Sequence, residues 1–318
     1  MVSQPLTSTA TPKGVARIQS PSSINLWRQC PRKYYYRYIG NLPSLPSIHL
    51  VRGTIVHDAL DKFFNTDVTR VPETVDGFFM TMKVVLNEVF KRSWNAHQAE
   101  LEKLGLTREE LQGYYDETGR MIGNYFDYFT SKIKYFTRFL PVKEAWTAVT
   151  PAREVEFLSR EHHVRGYMDA IHDEAGKTII LDYKTSRKAE ITEEYEVQLS
   201  IYAMLYQEKF RTPDLVGIFF LKDGVERLLE VTPAMVEKAK RDVQEVHLGT
   251  KTRDVRDYPK KPGPLCKWST GQCDYYEYCY LGKELPASGG TNTGNNGRPQ
   301  RPEPAPPPHA VAEAMEEL

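Results

Sequence analysis

Asp169, Asp182 and Lys184 bring two carboxylates and an ammonium into one short stretch of chain. Carboxylates hold hard divalent cations, and an ammonium beside them can neutralise charge that develops on a phosphate. Around them, residues 164–171 and 178–184 are dense in β-branched and aromatic types, with Asp173-Glu174-Ala175-Gly176 as turn chemistry between. The pattern predicts a hairpin. With His172 opposite Lys177, Asp169 falls opposite Ile180 and shares a face with Asp182 and Lys184. Diagonal neighbours on such a face lie about 7 Å apart, near enough for both acids to reach one cation. A solvated strand face would account for two aspartates alone. It accounts poorly for Asp182, which ends the apolar run Ile179-Ile180-Leu181, where a buried charge needs a partner or a metal.

After a polar loop, residues 194–210 show helical spacing through Val197, Ile201, Leu205 and Tyr206, which puts Gln198 and Tyr202 one turn apart on one face. Together, Gly166-x-x-Asp169, Asp182-x-Lys184 and Gln198-x-x-x-Tyr202 resemble, in order and spacing, the core motifs of the PD-(D/E)XK nucleases. The resemblance is to the RecB-like branch, with its CRISPR-associated and phage-borne exonucleases, and spans roughly residues 20 to 282. It implies an α/β, restriction-endonuclease-like core, a central mixed sheet flanked by helices, with an inserted helical region. It also implies a histidine ligand from an earlier helix, and Arg52-Gly53-Thr54-x-Val56-His57 stands in the matching place.

The chemistry implied is metal-dependent hydrolysis of a phosphodiester bond. His57, Asp169, Asp182 and the Tyr183 carbonyl would hold Mg2+ or Mn2+, the imidazole favouring Mn2+ somewhat. Lys184 would orient the nucleophile or neutralise developing charge, and Gln198 and Tyr202 would position the phosphate or the strand. An acid on the first strand often supports such sites; Glu154 and Glu156 both qualify, Glu154 ahead. The implied substrate is DNA, with single-stranded ends foremost, in replication, repair, recombination or phage DNA processing. Trimming of spacer precursors in CRISPR adaptation is the rival within the class, and proteins of these processes are the partners expected. A non-catalytic DNA-binding scaffold is a third reading; both aspartates, the lysine and the Gln-Tyr pair speak against it.

The four cysteines, Cys30, Cys266, Cys273 and Cys279, flank these motifs in the chain. A reducing compartment disfavours disulfides, so the set suggests joint thiolate ligation of a cluster or a zinc ion. Iron-sulfur members of the RecB-like branch use one N-terminal cysteine and a C-terminal trio to join the two ends of the domain around a [4Fe-4S] cluster. Here Cys266-x6-Cys273-x5-Cys279 departs from the family's C-x2-C-x5-C by a wider first spacing, which keeps zinc open. Beside Cys30, the run Arg28-Gln29-Cys30-Pro31-Arg32-Lys33-Tyr34-Tyr35-Tyr36-Arg37 combines four cations with three aromatics, as a strand-tracking DNA surface would. Without the motifs downstream, amphipathic packing with the arginines in solvent is the better account of it. Arg52 joins these cations as an expected DNA contact.

In its 318 residues the chain balances 42 Lys and Arg against 42 Asp and Glu, so any affinity for a polyanion must be local. Residues 1–19 read as disordered and 20–285 as the nuclease domain, with a helical insertion at about 65–145 and a cysteine-rich part at 264–282. Residues 286–318 read as a flexible tail whose acidic end, 311–318, could dock on a partner. There is no apolar run long enough to span a membrane and no apolar signal region. The expected location is the cytoplasm, the host's if the chain is phage-encoded.

Overall fold

The computed structural model describes residues 17–285 except Ala175 and Thr270. The expectations for residues 1–16 and 286–318 lie outside the described residues. Order begins ahead of residue 20: Gln19 is buried and bridges Val164, and its side-chain oxygen accepts from Ser23 and Tyr34. Ser20 and Ser23 then form a capping box on α1 (Pro21–Gln29). Pro31, which cannot continue a hydrogen-bonded helix, restarts the chain as α2 (Pro31–Tyr34), and a π-helical turn covers Tyr35–Ile39.

The helical region consists of α3 (Ile48–Phe64), α4 (Val75–Ala96), α5 (Gln98–Glu102), α6 (Arg108–Phe136) and α7 (Val142–Val149). A second capping box, Thr107 with Glu110, starts α6. The sheet follows: β1 (Ala152–Ser159), β2 (Val164–Glu174), β3 (Lys177–Lys184), then α8 (Glu193–Lys209), β4 (Leu215–Phe220) and β5 (Val225–Glu230). The strands lie in chain order, β1-β2-β3-β4-β5, all pairs antiparallel except β3 with β4. A parallel pair needs a long crossover, and α8 supplies it. Then come α9 (Pro233–Gly249), a small hairpin of β6 (Lys267–Trp268) and β7 (Gly271–Gln272), and α10 (Tyr276–Tyr280). Among the described residues no helix is long and apolar enough to cross a membrane.

Two cores cover the sheet, one on each face. Ile179, Leu181, Tyr183 and Phe219 pack with Phe63, Phe129 and Trp146 of the helical region. Ile180, Val216, Ile218 and Phe220 pack with Val197, Ile201 and Leu205 of α8 and Val243 of α9. Buried on both sides, β3 reads as a continuous apolar run ending in Asp182, as an interior strand with a parallel neighbour should. Each fully buried large apolar side chain contributes about 1.5–3 kcal/mol, so the ends of β2 and β3 are anchored firmly.

The hairpin register differs from the sequence expectation by two residues. Glu174 pairs with Lys177 and Ala170 with Leu181, leaving a two-residue turn in which Gly176 takes φ +73°. The four turn-forming residues admit either centring, and the tighter turn wins by adding one more pair to the ladder. Ile171, rather than Asp169, therefore faces Ile180.

Candidate active site

The site forms where β2 parts from β3. Their backbone pairing ends at Ala170 with Leu181, and beyond it the Tyr183 N–H donates to Asp169 Oδ2 at 2.8 Å. A carboxylate thus takes the place of a ladder carbonyl. The alternation of β2 slips at the same point, for Ala170 belongs to the core under α3 while Met168 belongs to the core under α8. Residues two apart on a regular strand would share a face. Across on β1, between Arg153↔Ala170 and Val155↔Met168, Glu154 has φ +50°, a left-handed conformation that costs a non-glycine residue about 1–3 kcal/mol. Such irregularities re-aim side chains at sheet rims and active sites.

What they aim at is His57. Its Nδ1 lies 3.1 Å from Asp169 Oδ1 and 3.5 Å from Glu154 Oε1, buried and without an aligned hydrogen bond. Ligand atoms of His57, Glu154 and Asp169 all fall within 4.8 Å of one another. One imidazole and two carboxylates, with a buried ring nitrogen pointing between the acids, form a donor set suited to Mn2+ or Mg2+. Burial alone would lower the His57 pKa, but Asp169 and Glu154 outweigh it and raise it to about 10. Burial likewise opposes ionisation of Asp169, which His57, then Lys184 and the Tyr183 N–H, hold below the usual carboxylate range. A cation entering the group must therefore displace a proton from His57.

Asp182 stands beside this trio with partners of its own. Lys184 Nζ is 2.6 Å from its Oδ2, and Gln198 Nε2 donates to its Oδ1 at 2.7 Å. Tyr202 Oη accepts from the same Gln198 Nε2 at 2.7 Å and donates to Asp182 Oδ1 at 3.3 Å. Tyr202 reaches so deep because Gly166 lies beneath it: a Cβ there would fall 3.0 Å from the Tyr202 ring. Burial raises the Asp182 pKa, Asp169 adds to this, and Lys184 opposes both. Burial pulls the Lys184 ammonium down, yet Asp182 more than compensates and its pKa is raised. Thr192 caps α8, and Glu193, Glu194 and Glu196 fill its first turn, so dipole and charge agree in fixing the helix that carries Gln198 and Tyr202.

The sequence-derived set is thus divided in two. His57, Asp169 and Glu154 gather on the α3 side, whereas Asp182 and Lys184 face α8 with Gln198 and Tyr202. Tyr183 meets the group through its amide, and its phenol bonds the Tyr125 hydroxyl at 2.8 Å. Glu156 stands apart, accepting from Tyr167 Oη at 2.8 Å. Arg52, expected as a DNA contact, is only 4% exposed. It pairs with Glu117 of α6, which Lys222 also holds at 2.8 Å, and it donates to the Thr185 carbonyl just past Lys184. No spacing in the sequence marks Glu117 or Lys222 for this clamp. Of the other expected contacts, Arg28 pairs with Glu193 and Asp242, Arg32 donates to the Tyr258 carbonyl, Lys33 reaches Gln29, and Arg37 neighbours Tyr275.

The four cysteines are free thiols, half-buried, not paired and not gathered at one point: among the described residues no three of them lie within 4.8 Å of one another. All four nevertheless line one cavity of about 400 Å³. The widened spacing is the β6–β7 hairpin, with Cys266 and Cys273 at its neck and Cys273 N–H donating to the Cys266 carbonyl at 2.9 Å. Burial raises the thiol pKa of Cys273 and Cys279.

Residues 19–280 match the PD-(D/E)XK nuclease superfamily. The chain belongs to that superfamily. A crystal structure of a candidate exonuclease from Eubacterium rectale is similar at 13% identity and a TM-score of 0.46, covering 89% of this chain and 94% of that one. No curated protein matches the chain. As a member of the PD-(D/E)XK nuclease superfamily, it has a nucleic acid as its substrate, and a divalent metal is the cofactor typical of the group.

Proposed function

We propose that this PD-(D/E)XK protein is a metal-dependent exonuclease of the RecB-like branch that hydrolyses phosphodiester bonds at single-stranded DNA ends. The observation that carries the reading is the pairing of a metal-suited trio, His57, Glu154 and Asp169, with an adjacent Asp182–Lys184 ion pair. A divalent cation held by the trio, with Asp182 beside it, would supply Lewis acidity toward the phosphate and toward water. Lys184 offers a fixed positive charge where negative charge accumulates on the scissile phosphate, and Asp182 keeps that ammonium protonated and aimed. Gln198 and Tyr202 hold Asp182 from the α8 side, so their part in the reaction is to orient the carboxylate. Arg52 acts at one remove, by fixing the backbone at Thr185.

For the cysteines we favour a [4Fe-4S] cluster over zinc. Tetrahedral zinc at about 2.3 Å from each sulfur needs thiolates about 3.8 Å apart, and among the described residues no three of these sulfurs lie within 4.8 Å of one another. A cuboidal cluster gives each thiolate its own iron, which suits sulfurs spread around one cavity.

The test of the activity is digestion of end-labelled single-stranded DNA with Mn2+ by the wild type, Asp182→Ala and Lys184→Ala. Loss of digestion in both variants supports the reading; equal digestion by all three proteins would sink it. Visible absorbance after anaerobic purification, with about four iron atoms per chain and no zinc by elemental analysis, checks the cysteine assignment.

A further inference from the structure

We propose that the β6–β7 hairpin, with the tyrosines beside it, is a stacking platform for an unpaired nucleic-acid strand. The inference rests on the nuclease reading and adds a contact surface to it. Trp268 is 47% exposed, whereas Trp94 and Trp146 are 7% and 4% exposed. Its placement has a specific cause: a Cβ at Gly271 would fall 2.9 Å from the indole, so the ring lies on bare backbone. Covered on one side and held by the hairpin, the indole loses little freedom when a base stacks on its open side. Tyr276 and Tyr280 add a stacked ring pair with centroids 4.8 Å apart. Lys267 and Lys260 stand over these rings at 5.6 and 4.8 Å.

Charge points to the same ligand. The cysteine-lined cavity, which Tyr276 and Tyr280 also line, carries Arg32, Lys33, Lys260 and Lys261 and no carboxylate. Of the acids nearby, Glu277 is paired with Lys283 at 2.7 Å, and Asp274 lies beside Cys273 and Tyr275. Open aromatic faces interleaved with cations fit a chain of bases on a phosphate backbone better than an acidic peptide, which would use the lysines and leave the indole idle. The platform is also joined to the acidic site. Lys261 Nζ donates to the Arg28 carbonyl, Arg28 pairs with Glu193 at the start of α8, and the Tyr195 ring of that helix lies 5.4 Å from Lys184 Nζ.

The experiment is fluorescence anisotropy of a labelled dT20 with the full chain, in the absence of divalent cations so that nothing is cut. It compares the wild type, Trp268→Ala and Trp268→Phe, and repeats the series on an abasic oligomer of equal length. Stacking of one base is worth about 1–3 kcal/mol, so Trp268→Ala should weaken dT20 binding on the order of tenfold while Trp268→Phe restores most of it. The abasic oligomer should bind all three proteins alike. In the wild type, a 5-iododeoxyuridine oligomer should photocrosslink to the hairpin, which needs no variant to fold. Unchanged dT20 binding by Trp268→Ala, the same loss on the abasic oligomer, or a crosslink elsewhere would overturn the platform. Cleavage with Mn2+ separates the two ideas: a wild type that binds through Trp268 and never cuts upholds the platform and refutes the nuclease reading. One that cuts while ignoring Trp268 refutes the platform alone.

Discussion

Around Asp182 the partners are Lys184, Gln198 and Tyr202, with Oδ2 in ion contact but without an aligned hydrogen bond, and the carriers of those groups are a central strand and the helix α8. Around Cys266 the opposite holds: elements of two to five residues, thiols half-buried, and contacts made largely by lysine and tyrosine. The first region is set before any ligand arrives. The second sits at the rim of the α8-side core, with Tyr275 buried and Cys273 and Cys279 packed against it, and its donors surround a cavity open to a ligand. Rigid placement suits chemistry on a phosphate, where misplacement by an ångström is costly, and an open cavity with ring faces beside it suits a part that takes up a cofactor or a strand.

The contrast can be broken most directly at Asp182. Asp182→Asn combined with Lys184→Met should cut the rate of DNA cleavage on the order of a thousandfold, read by single-turnover assay. The same protein should melt no lower than the wild type, because replacing a buried ion pair by groups of similar volume is often neutral or stabilising. A large fall in melting temperature would mean that the pair supports the fold rather than the reaction. Next in size is Arg52→Ala, expected to cost about 2–3 kcal/mol in denaturant unfolding through loss of the Glu117 and Thr185 contacts. Its salt dependence of DNA binding should match the wild type, since a guanidinium that is 5% exposed neutralises no phosphate. Gly166→Ala should cost about 1–3 kcal/mol by pressing on Tyr202, with a fall in cleavage that follows the tyrosine's displacement.

An effect spread over several pH units sharpens the comparison through a second histidine. His172 is more deeply buried than His57, and burial, with Lys132 adding, pushes its pKa down to about 3. Two carboxylates face His57 at 3.1 and 3.5 Å, whereas Glu174, 3.7 Å from His172, is itself paired with Lys132. The unfolded chain takes up a proton at His172 near the ordinary value of about 6.5, and the folded chain does not. Stability is therefore fully present above that pH and should fall by about 1.4 kcal/mol per unit as pH drops toward 3. His172→Phe should flatten that slope in urea unfolding series at successive pH values. A slope unchanged in the variant would assign the acid loss to other groups.

Much of this was legible from residue types. Alternating β-branched residues around a turn marked the hairpin, Val197, Ile201 and Leu205 marked α8, and the four-residue step from Gln198 to Tyr202 placed amide and hydroxyl together. The turn was not, because Asp173, Glu174, Ala175 and Gly176 all tolerate turn positions, and two residues of shift decide which acid faces which neighbour. The positive φ of Glu154 and the parting of β2 from β3 were invisible too; both are set by how strands twist against two different helical layers. Arg52 misled for a related reason: a cation near a site looks like a ligand for phosphate until its partner, far away at Glu117, is known.

The clamp and the pair on α8 carry an implication for synthesis. A nascent chain that has emerged only as far as Lys184 already contains His57, Glu154, Asp169 and Asp182, but not Gln198, Tyr202 or Lys222, which restrain Asp182 and Glu117. A nuclease would thus leave the ribosome with its acids in hand and its orientation missing. Competence would be delayed until the crossover helix and the strand after it have been translated.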